Sequence, residues 1–271
     1  MKKKYCVLTF LVLSVVAATA AVFSTTQAPM PADDYQLVWQ EDFNGRKLDT
    51  THWTIIERGP SAWQKYMSSN SSLYELRNGR MRLYARRNKN IEPNDTAPYL
   101  TGGICTQHKL TFTYGKIEVR ARIKGAEGCW PAIWLKSDDP KLWGYPERAE
   151  IDIMEYASHK EYVTQTVHSN YTDVLKHTDN PQMTSWPKPE VGLWNVYGVE
   201  IRPDRVLLTV NGEVTLNYPR IATNEVGQFP YGVESFLLID MQVGNQWLTN
   251  IVASEYPAWM DIDWVKVYKM K

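Results

Sequence analysis

Cysteine is scarce in this chain, and clustered positive charge is absent from most of it. Only Cys6, Cys105 and Cys129 occur among 271 residues, which excludes a scaffold held together by many disulfides. The formal net charge is +0, and after residue 4 no basic run is longer than a pair such as Arg86-Arg87. The electrostatic footprint of a nucleic-acid or anionic-membrane binder is therefore missing. A neutral polymer is the ligand class that agrees best with this balance.

The histidines show no metal-ligand spacing. His52, His108, His159 and His177 are scattered through the sequence and form none of the short spacings typical of a zinc site. We therefore expect no cofactor for catalysis.

The chain also lacks internal repeats, Pro- or Gly-rich linkers and, after its first 28 residues, any convincing amphipathic helical stripe of three turns. Hydrophobic residues make up 44% of the sequence, and its length is within the range of a single all-β sandwich with a full core. We predict one domain over residues 29–271.

The N-terminus has the pattern of an export signal. Lys2 to Lys4 precede an uncharged apolar stretch from Cys6 to Phe23, and Thr26-Gln27-Ala28 offers a small-x-small cleavage site. We predict a signal peptide at residues 1–28, and a mature protein that is periplasmic or extracellular, does not insert in the membrane and is monomeric. An uncleaved membrane anchor is the alternative, because the stretch reaches the roughly 18 residues a spanning helix needs. After cleavage Cys105 and Cys129 would remain, either as a disulfide or as buried free thiols.

Period-two alternation indicates β-structure almost everywhere. Ile117, Val119 and Ala121 alternate with charged residues between positions 116 and 122. Asn78-Gly79 and Asn211-Gly212 each separate two β-rich runs and predict tight hairpins, since both turn residues must adopt positive φ. The tail from Met260 to Tyr268 alternates again with one irregularity. We predict an all-β fold of a dozen or more strands, as two packed antiparallel sheets or a barrel.

The segment Glu150-Ile151-Asp152-Ile153-Met154-Glu155 carries the most chemical information. In a regular strand Glu155 would face away from Glu150 and Asp152. A β-bulge at Ile153-Met154 would turn Glu155 back to their side, so that three carboxylates share one cleft. Two such acids suit glycoside hydrolysis with retention, in which nucleophile and acid/base lie roughly 5–5.5 Å apart. The alternative, an exposed strand with solvated acids, agrees poorly with the apolar residues between them.

This acidic segment resembles the bulged active-site signature of glycoside hydrolase family 16, the family of laminarinases, agarases and endo-β-galactosidases. Four further segments are similar to the family's landmarks in the same order, and together they cover nearly the whole mature chain: residues 41–53, Tyr114–Arg120, Trp130–Leu135 and Asp263–Tyr268. The resemblance implies a jelly-roll β-sandwich (concanavalin-like) with an open cleft on its concave sheet. It also implies that Glu150 is the nucleophile, Asp152 its helper and Glu155 the general acid/base.

Aromatic side chains are expected to line this cleft, because sugar faces stack on π systems. By resemblance Trp134 contacts substrate, whereas Trp130 fits the cleft or the core equally well. His168 either faces the carboxylates from a neighbouring strand or is a buried structural histidine. Near the C-terminus we also place Trp247 at the cleft.

Departures from the family pattern bear on the substrate. Laminarinases carry Asn-Glu-Leu-Gln after the first Trp, where this chain has Ser61 to Ser68 with Trp63 and Tyr66. Asp240 and Gln242 stand where the family has Asn and Ala, and alternation puts both on one face. We therefore expect these four residues to contact substrate and to favour galactose with its axial O4, in β-1,4-galactosyl linkages of poly-N-acetyllactosamine or mucin-type O-glycans. An endo-β-1,3- or β-1,3-1,4-glucanase is the alternative; a non-catalytic glycan-binding jelly roll and a transglycosylase also stay open.

The resemblance further implies a structural calcium on the convex side, with Glu41, Gly79 and Asp263 supplying oxygen ligands. An Asp263 that only bonds to the backbone is the competing interpretation.

Overall fold

The computed structural model describes residues 34–271, and everything below concerns that part of the chain. The predicted signal peptide at residues 1–28 lies outside the described residues. None of the helices within 34–271 has the length and apolar character needed to cross a membrane.

The regular secondary structure of the described residues is almost entirely β-strand, as the alternation predicted. Four short helical turns interrupt the strands: Ser71–Leu73, Pro140–Leu142, Asn170–Val174 and Ala253–Glu255. Sixteen strands are formed within residues 34–271: β1 (Tyr35–Glu41), β2 (Thr54–Ile55), β3 (Tyr74–Leu76), β4 (Met81–Arg87), β5 (Tyr99–Thr101), β6 (Gly103–Cys105), β7 (Gly115–Lys124), β8 (Ala132–Ser137), β9 (Glu150–Glu155), β10 (Thr164–His168), β11 (Thr184–Ser185), β12 (Asn195–Ile201), β13 (Arg205–Val210), β14 (Glu213–Pro219), β15 (Ser235–Asp240) and β16 (Ala258–Met270).

Two antiparallel sheets divide these strands. The larger runs β14-β13-β12-β7-β16-β4-β3, with β1 paired to β16 and β5 to β4. The smaller runs β11-β10-β9-β8-β15-β6-β2. Several neighbouring strands, such as β7 and β16 or β8 and β15, are distant in sequence, so the chain crosses between the sheets, which is the jelly-roll arrangement.

Local sequence explains the hairpins and the strand faces. Asn211 and Gly212 have φ values of 53° and 84°, and they join β13 to β14. Asn78 and Gly79 have φ values of 54° and 64°, and they join β3 to β4. Both predicted hairpins are confirmed. β7 alternates buried and half-buried residues along its whole length, so one of its faces packs inside.

The core lies between the two sheets. Val119 and Ile117 of the larger sheet pack in the same cluster as Ile151 and Ile153 of the smaller sheet. Since Ile151 and Ile153 point inward, the carboxylates that alternate with them point to the outer face of the smaller sheet. This outer face carries the candidate site.

Cys105 and Cys129 are both free and buried. The structure therefore agrees with the free-thiol alternative and not with a disulfide between them.

Candidate active site

The predicted bulge is present in β9. Met154 pairs with Ile133 of β8, but the next pair is Asp152 with Trp134, so that Ile153 has no partner on β8. The pairing with β10 shifts at the same place. Ile153 and Met154 are both fully buried, which returns Glu155 to the side of Glu150 and Asp152.

Gln165 of β10 supports the bulge from the core side. Its side chain is fully buried, and its Nε2 donates a hydrogen bond of 2.8 Å to the carbonyl oxygen of Ile153. At its other end, Oε1 accepts a hydrogen bond from the hydroxyl of Thr215, on the opposite sheet. A buried carbonyl that the bulge removes from the ladder is thus satisfied.

Strand register arranges the cleft in three rows. Glu150 pairs with both Lys136 and His168, and Asp152 with both Trp134 and Thr166. Glu155 completes the third row between Ala132 and Thr164. The cleft above these rows has a volume of about 470 Å³. It is lined by Ser61, Trp63, Trp130, Ala132, Trp134, Lys136, Trp143, Arg148, Glu150, Asp152, Glu155, His168, Gln242 and Trp247.

The two glutamates differ in their electrostatics. Burial raises the pKa of Glu150, and the charge of Asp152 raises it further, although His168 and Arg148 oppose the rise. Burial and the charge of Asp152 raise the pKa of Glu155 well above its ordinary value. Glu155 is therefore the carboxyl that holds its proton more strongly, as a general acid must.

Each glutamate is held by one hydrogen-bond donor. Arg148 Nη2 lies 2.8 Å from Glu150 Oε2 and favours the ionised form of that carboxylate. The indole Nε1 of Trp130 donates to Glu155 Oε1 at 2.7 Å. These contacts fix the orientation of both carboxyl groups without linking them to each other.

His168 connects Asp152 to a second aspartate. Its Nε2 lies 3.0 Å from Asp152 Oδ2, and its Nδ1 lies 3.0 Å from Asp173 Oδ1. Burial lowers the pKa of His168, but the hydrogen bonds to Asp152 and Asp173 and the surrounding negative charge raise it well above its usual range. The imidazolium donates on both sides, and the hydroxyl of Tyr145 donates to Asp173 as well.

Tryptophans flank the carboxylates in two edge-to-face pairs. Trp63 meets Trp134 with ring centroids 4.9 Å apart, and Trp130 meets Trp247 at 5.0 Å. All four line the cleft, so the structure places Trp130 there and not in the core between the sheets. Trp247 is 57% exposed, which leaves its ring available to a sugar.

Asp240 lies beneath the cleft and not among its lining residues, where the sequence prediction had placed it. It lies on the same side of its sheet as Trp134, but it is fully buried and accepts a hydrogen bond of 2.7 Å from the Trp134 indole. Its neighbour Gly103 has no side chain, and a Cβ there would lie 2.8 Å from the Asp240 Cβ. Asp240 thus fixes Trp134 from below, while Gln242 does line the cleft.

Tyr66 is likewise misplaced by the sequence prediction. The backbone of this segment bonds to Thr101, with Thr101 N donating to the Tyr66 carbonyl at 2.8 Å. The Tyr66 ring packs near Tyr99 and is absent from the cleft lining that contains Trp63. The intervening residues form a turn, in which alternation does not apply.

Two of the three predicted calcium ligands, Glu41 and Asp263, already have partners. Glu41 accepts hydrogen bonds from the Phe43 amide and the Trp53 indole, and the Asp263 carboxylate is paired with Arg120. A cation bound to Asp263 repels calcium, so these side chains as arranged do not fit the ion. The site stays a prediction, tested by whether calcium and a chelator shift the melting temperature.

One group in the described chain has the composition of a metal site: Glu150, Asp152 and His168, whose donor atoms lie within 4.8 Å of one another. Both nitrogens of His168 are hydrogen-bonded to carboxylates, and its pKa is raised. An imidazolium has no lone pair for a metal, so this cluster is a proton-sharing network.

The sequence predictions missed several residues of the site. Lys136 could have been found, because alternation from Trp134 places it on the same face. Gln165 also leaves a signal, since a glutamine on the inward side of a strand needs buried partners. Arg148, Trp143 and Asp173 lie on irregular segments beside β9 and β10, and no periodicity indicates them.

A two-sheet sandwich whose outer cleft joins two glutamates of raised pKa, an aspartate between them and flanking tryptophans is the arrangement typical of glycoside hydrolases. Residues 62–266 match the model of Glycosyl hydrolases family 16. The chain belongs to that family.

Relatives and solved structures agree with this assignment. A keratan-sulfate endo-1,4-beta-galactosidase of Sphingobacterium multivorum is 30% identical over 257 residues, which cover 94% of this chain and 59% of the relative. A glucan endo-1,3-beta-glucosidase A1 of Niallia circulans is 27% identical over 259 residues, covering 86% of this chain and 38% of the relative. The chain thus spans only part of these two relatives.

The fold has a close structural counterpart. The crystal structure of SCLam, a non-specific endo-beta-1,3(4)-glucanase from family GH16, superposes with a TM-score of 0.78 at 24% identity. The match covers 89% of this chain and 93% of the other.

Proposed function

We propose that this protein is a retaining endo-β-glycosidase that cleaves β-1,4-galactosyl linkages inside poly-N-acetyllactosamine or mucin-type O-glycan chains. The observation that carries the reaction class is the bulge in β9, which brings Glu150, Asp152 and Glu155 into one cleft. Export to the periplasm or the medium, where such glycans are encountered, belongs to the same proposal.

The geometry suits a double displacement. Glu150, kept ionised by Arg148, attacks the anomeric carbon, while Glu155 gives its proton to the leaving glycosidic oxygen. The bond between that carbon and oxygen breaks, and a covalent glycosyl-enzyme forms. Glu155, now ionised, takes a proton from water, whose oxygen attacks the same carbon and releases Glu150. Asp152 and His168 neutralise each other beside both carboxyl groups.

The first test concerns the nucleophile. We expect Glu150→Gln to lower kcat more than about 100-fold, a loss above ~3 kcal/mol of transition-state stabilisation, while glycan binding is retained. Turnover would be followed by product release and binding by calorimetry. A variant with a larger residual rate would show that Glu150 is not the nucleophile, and a wild-type protein that binds glycans without cleaving them would make the chain a binding module.

Support for galactose is separate from support for the reaction. The 30%-identical relative named for keratan sulfate covers 94% of this chain. Trp63 and Gln242 line the cleft at positions where the glucanase pattern has other residues. A polar side chain that hydrogen-bonds a sugar hydroxyl discriminates strongly between sugars with different hydroxyl orientations.

An endo-β-1,3- or β-1,3-1,4-glucanase is the second candidate, favoured by the relative named as a glucan endo-1,3-beta-glucosidase. The deciding measurement compares kcat/KM for a lactosamine oligosaccharide and a β-1,3-glucan oligosaccharide of equal length. We expect the ratio to favour lactosamine, and Trp63→Ala to raise KM more than it lowers kcat, because stacking acts in ground state and transition state alike. A ratio favouring glucan would make the protein a laminarinase-type enzyme and leave its carboxylates in their assigned roles.

A further inference from the structure

Lys136 is the one cation among the described cleft-lining residues that has no carboxylate within ion-pair distance. Arg148 is paired with Glu150, and His168 lies between Asp152 and Asp173. Lys136 makes no ion pair and no hydrogen bond through its side chain to any residue in 34–271. Its ammonium group lies over the ring of Trp143, and the charge of Glu150 acts on it only at longer range.

The position of Lys136 is set by the sheet. It pairs with Glu150 of β9 on one side and with Phe236 of β15 on the other, so its side chain rises from the row that contains the nucleophile. Its Nζ lies 3.7 Å from the centroid of the Trp143 ring. That ring is itself fixed, because its Nε1 donates to the Ser137 carbonyl at 2.7 Å. The ammonium group is therefore held at the wall of the cleft.

A half-buried ammonium without a paired carboxylate is costly. Burial disfavours its charged form and lowers the pKa of Lys136, and the more distant charge of Glu150 opposes this only in part. A neutral sugar chain has no need of this charge. A sugar with a negatively charged group would place an anion next to the Lys136 ammonium, in the part of the cleft from which the sugar displaces water. An ammonium group has three donors and suits an ester sulfate or a carboxylate equally.

We propose that Lys136 binds an anionic substituent, a sulfate ester or a carboxylate, on the sugar bound beside Glu150, so that the enzyme prefers acidic to neutral glycan chains. This inference rests on the proposed glycosidase function and adds the substrate's charge to it.

The experiment uses three lactosamine oligosaccharides of equal length, of which one is neutral, one 6-O-sulfated and one sialylated. For the wild type we expect kcat/KM on at least one acidic chain to exceed the neutral value about tenfold or more, equivalent to ~1.4 kcal/mol. The ratio should fall toward one in Lys136→Met and survive in part in Lys136→Arg. It should also shrink as salt is raised, because the pair is partly exposed to solvent. Lys141→Met, an exposed lysine outside the cleft lining, is the matched control and should keep the wild-type ratio.

Binding separates failure of this inference from failure of the proposed function. The dissociation constants of the three chains are also measured on Glu155→Gln, which removes turnover. Cleavage of neutral lactosamine with equal constants for acidic and neutral chains would overturn the role of Lys136 alone. An acidic preference that persists in Lys136→Met would overturn it as well, and would locate the charge recognition elsewhere. Cleavage of glucan with no cleavage of lactosamine would overturn the galactosidase proposal, and the binding constants would then decide the lysine by themselves.

Discussion

At the scale of single residues, the two glutamates owe their different behaviour to one neighbour each. Arg148 is a permanent cation against Glu150, whereas Trp130 offers Glu155 a neutral N–H. Both glutamates are close to Asp152, whose charge raises both pKa values. The cation limits the rise in the pKa of Glu150, and the neutral donor limits the rise in the pKa of Glu155 less effectively.

Trp130→Phe should therefore move one limb of the pH–rate profile. The indole hydrogen bond lowers the pKa of Glu155, so its removal raises that pKa, and the proton needed for catalysis persists to higher pH. The basic limb of kcat/KM is expected to shift to higher pH, with the acidic limb, set by Glu150, unmoved. The profile is measured on one oligosaccharide over the full range of activity.

Trp247→Phe is the matched control for that experiment. Trp247 packs edge-to-face on Trp130 and lines the same cleft, but makes no hydrogen bond to Glu155. The Trp247→Phe substitution should change KM without moving either limb of the pH–rate profile. Equal shifts in both variants would mean that cleft packing, and not the indole hydrogen bond, controls the basic limb.

At the scale of elements, the bulge is where prediction from sequence succeeded most. Three acids within six residues of an apolar strand made sense only if one extra residue was present, and the register shift confirms it. The two Asn-Gly turns were equally clear, because few residues tolerate positive φ. The turn containing Trp63 and Tyr66 has no regular alternation of side chains. The two rings point in different directions because Trp63 packs on Trp134 and Tyr66 packs on Tyr99.

Asp240 shows a different limit. Alternation gave the correct side of the sheet, but not the depth, because the segment containing Trp63 packs over that face. How deeply a side chain is buried depends on which other segments pack over its strand. The spacing of residues within the strand carries no information on those segments.

Gln165→Met should weaken both the fold and the catalytic step. The Ile153 carbonyl would lose its 2.8 Å donor, and an unsatisfied buried group costs about 1–3 kcal/mol of unfolding free energy. Because this carbonyl belongs to the bulge that orients Glu155, we expect kcat to fall at temperatures well below unfolding, with KM changed little. Denaturant unfolding and steady-state kinetics measure the two effects.

Gln228→Met provides the comparison for stability. Gln228 is also buried and bonds at both ends, to the Pro219 carbonyl at 3.0 Å and the Ile221 amide at 3.1 Å, away from the cleft lining. A similar loss of stability with normal kcat is expected. If both variants lose kcat in proportion to stability, Gln165 has no positioning role.

At the scale of the whole molecule, Asp240 should make stability depend on pH. Burial raises its pKa to about 7, whereas an aspartate in the unfolded chain titrates near ~3.9. The unfolded chain therefore loses this proton first as pH rises, and folding becomes less favourable between about pH 4 and the folded pKa. The change amounts to at most about 4 kcal/mol, since each pKa unit corresponds to ~1.4 kcal/mol.

Asp240→Asn removes that titration and keeps an oxygen for the Trp134 indole. Its unfolding free energy relative to the wild type is expected to increase from pH 4 to about pH 7 and then to level off. Denaturant unfolding of both proteins at a series of pH values gives the difference directly. Parallel curves would show that the carboxyl does not titrate in this window.

The bulge also determines how β9 would respond to losing one residue. In an ordinary strand such as β7, deletion of a residue exchanges inside and outside for every position beyond it. Without Ile153, β9 would read Glu-Ile-Asp-Met-Glu, and plain alternation would still place all three acids on the outer face. Deletion of one residue from β7 would move its inward-facing side chains to the outer face. Deletion of Ile153 from β9 would leave all three acids on the outer face and would only remove the bulge.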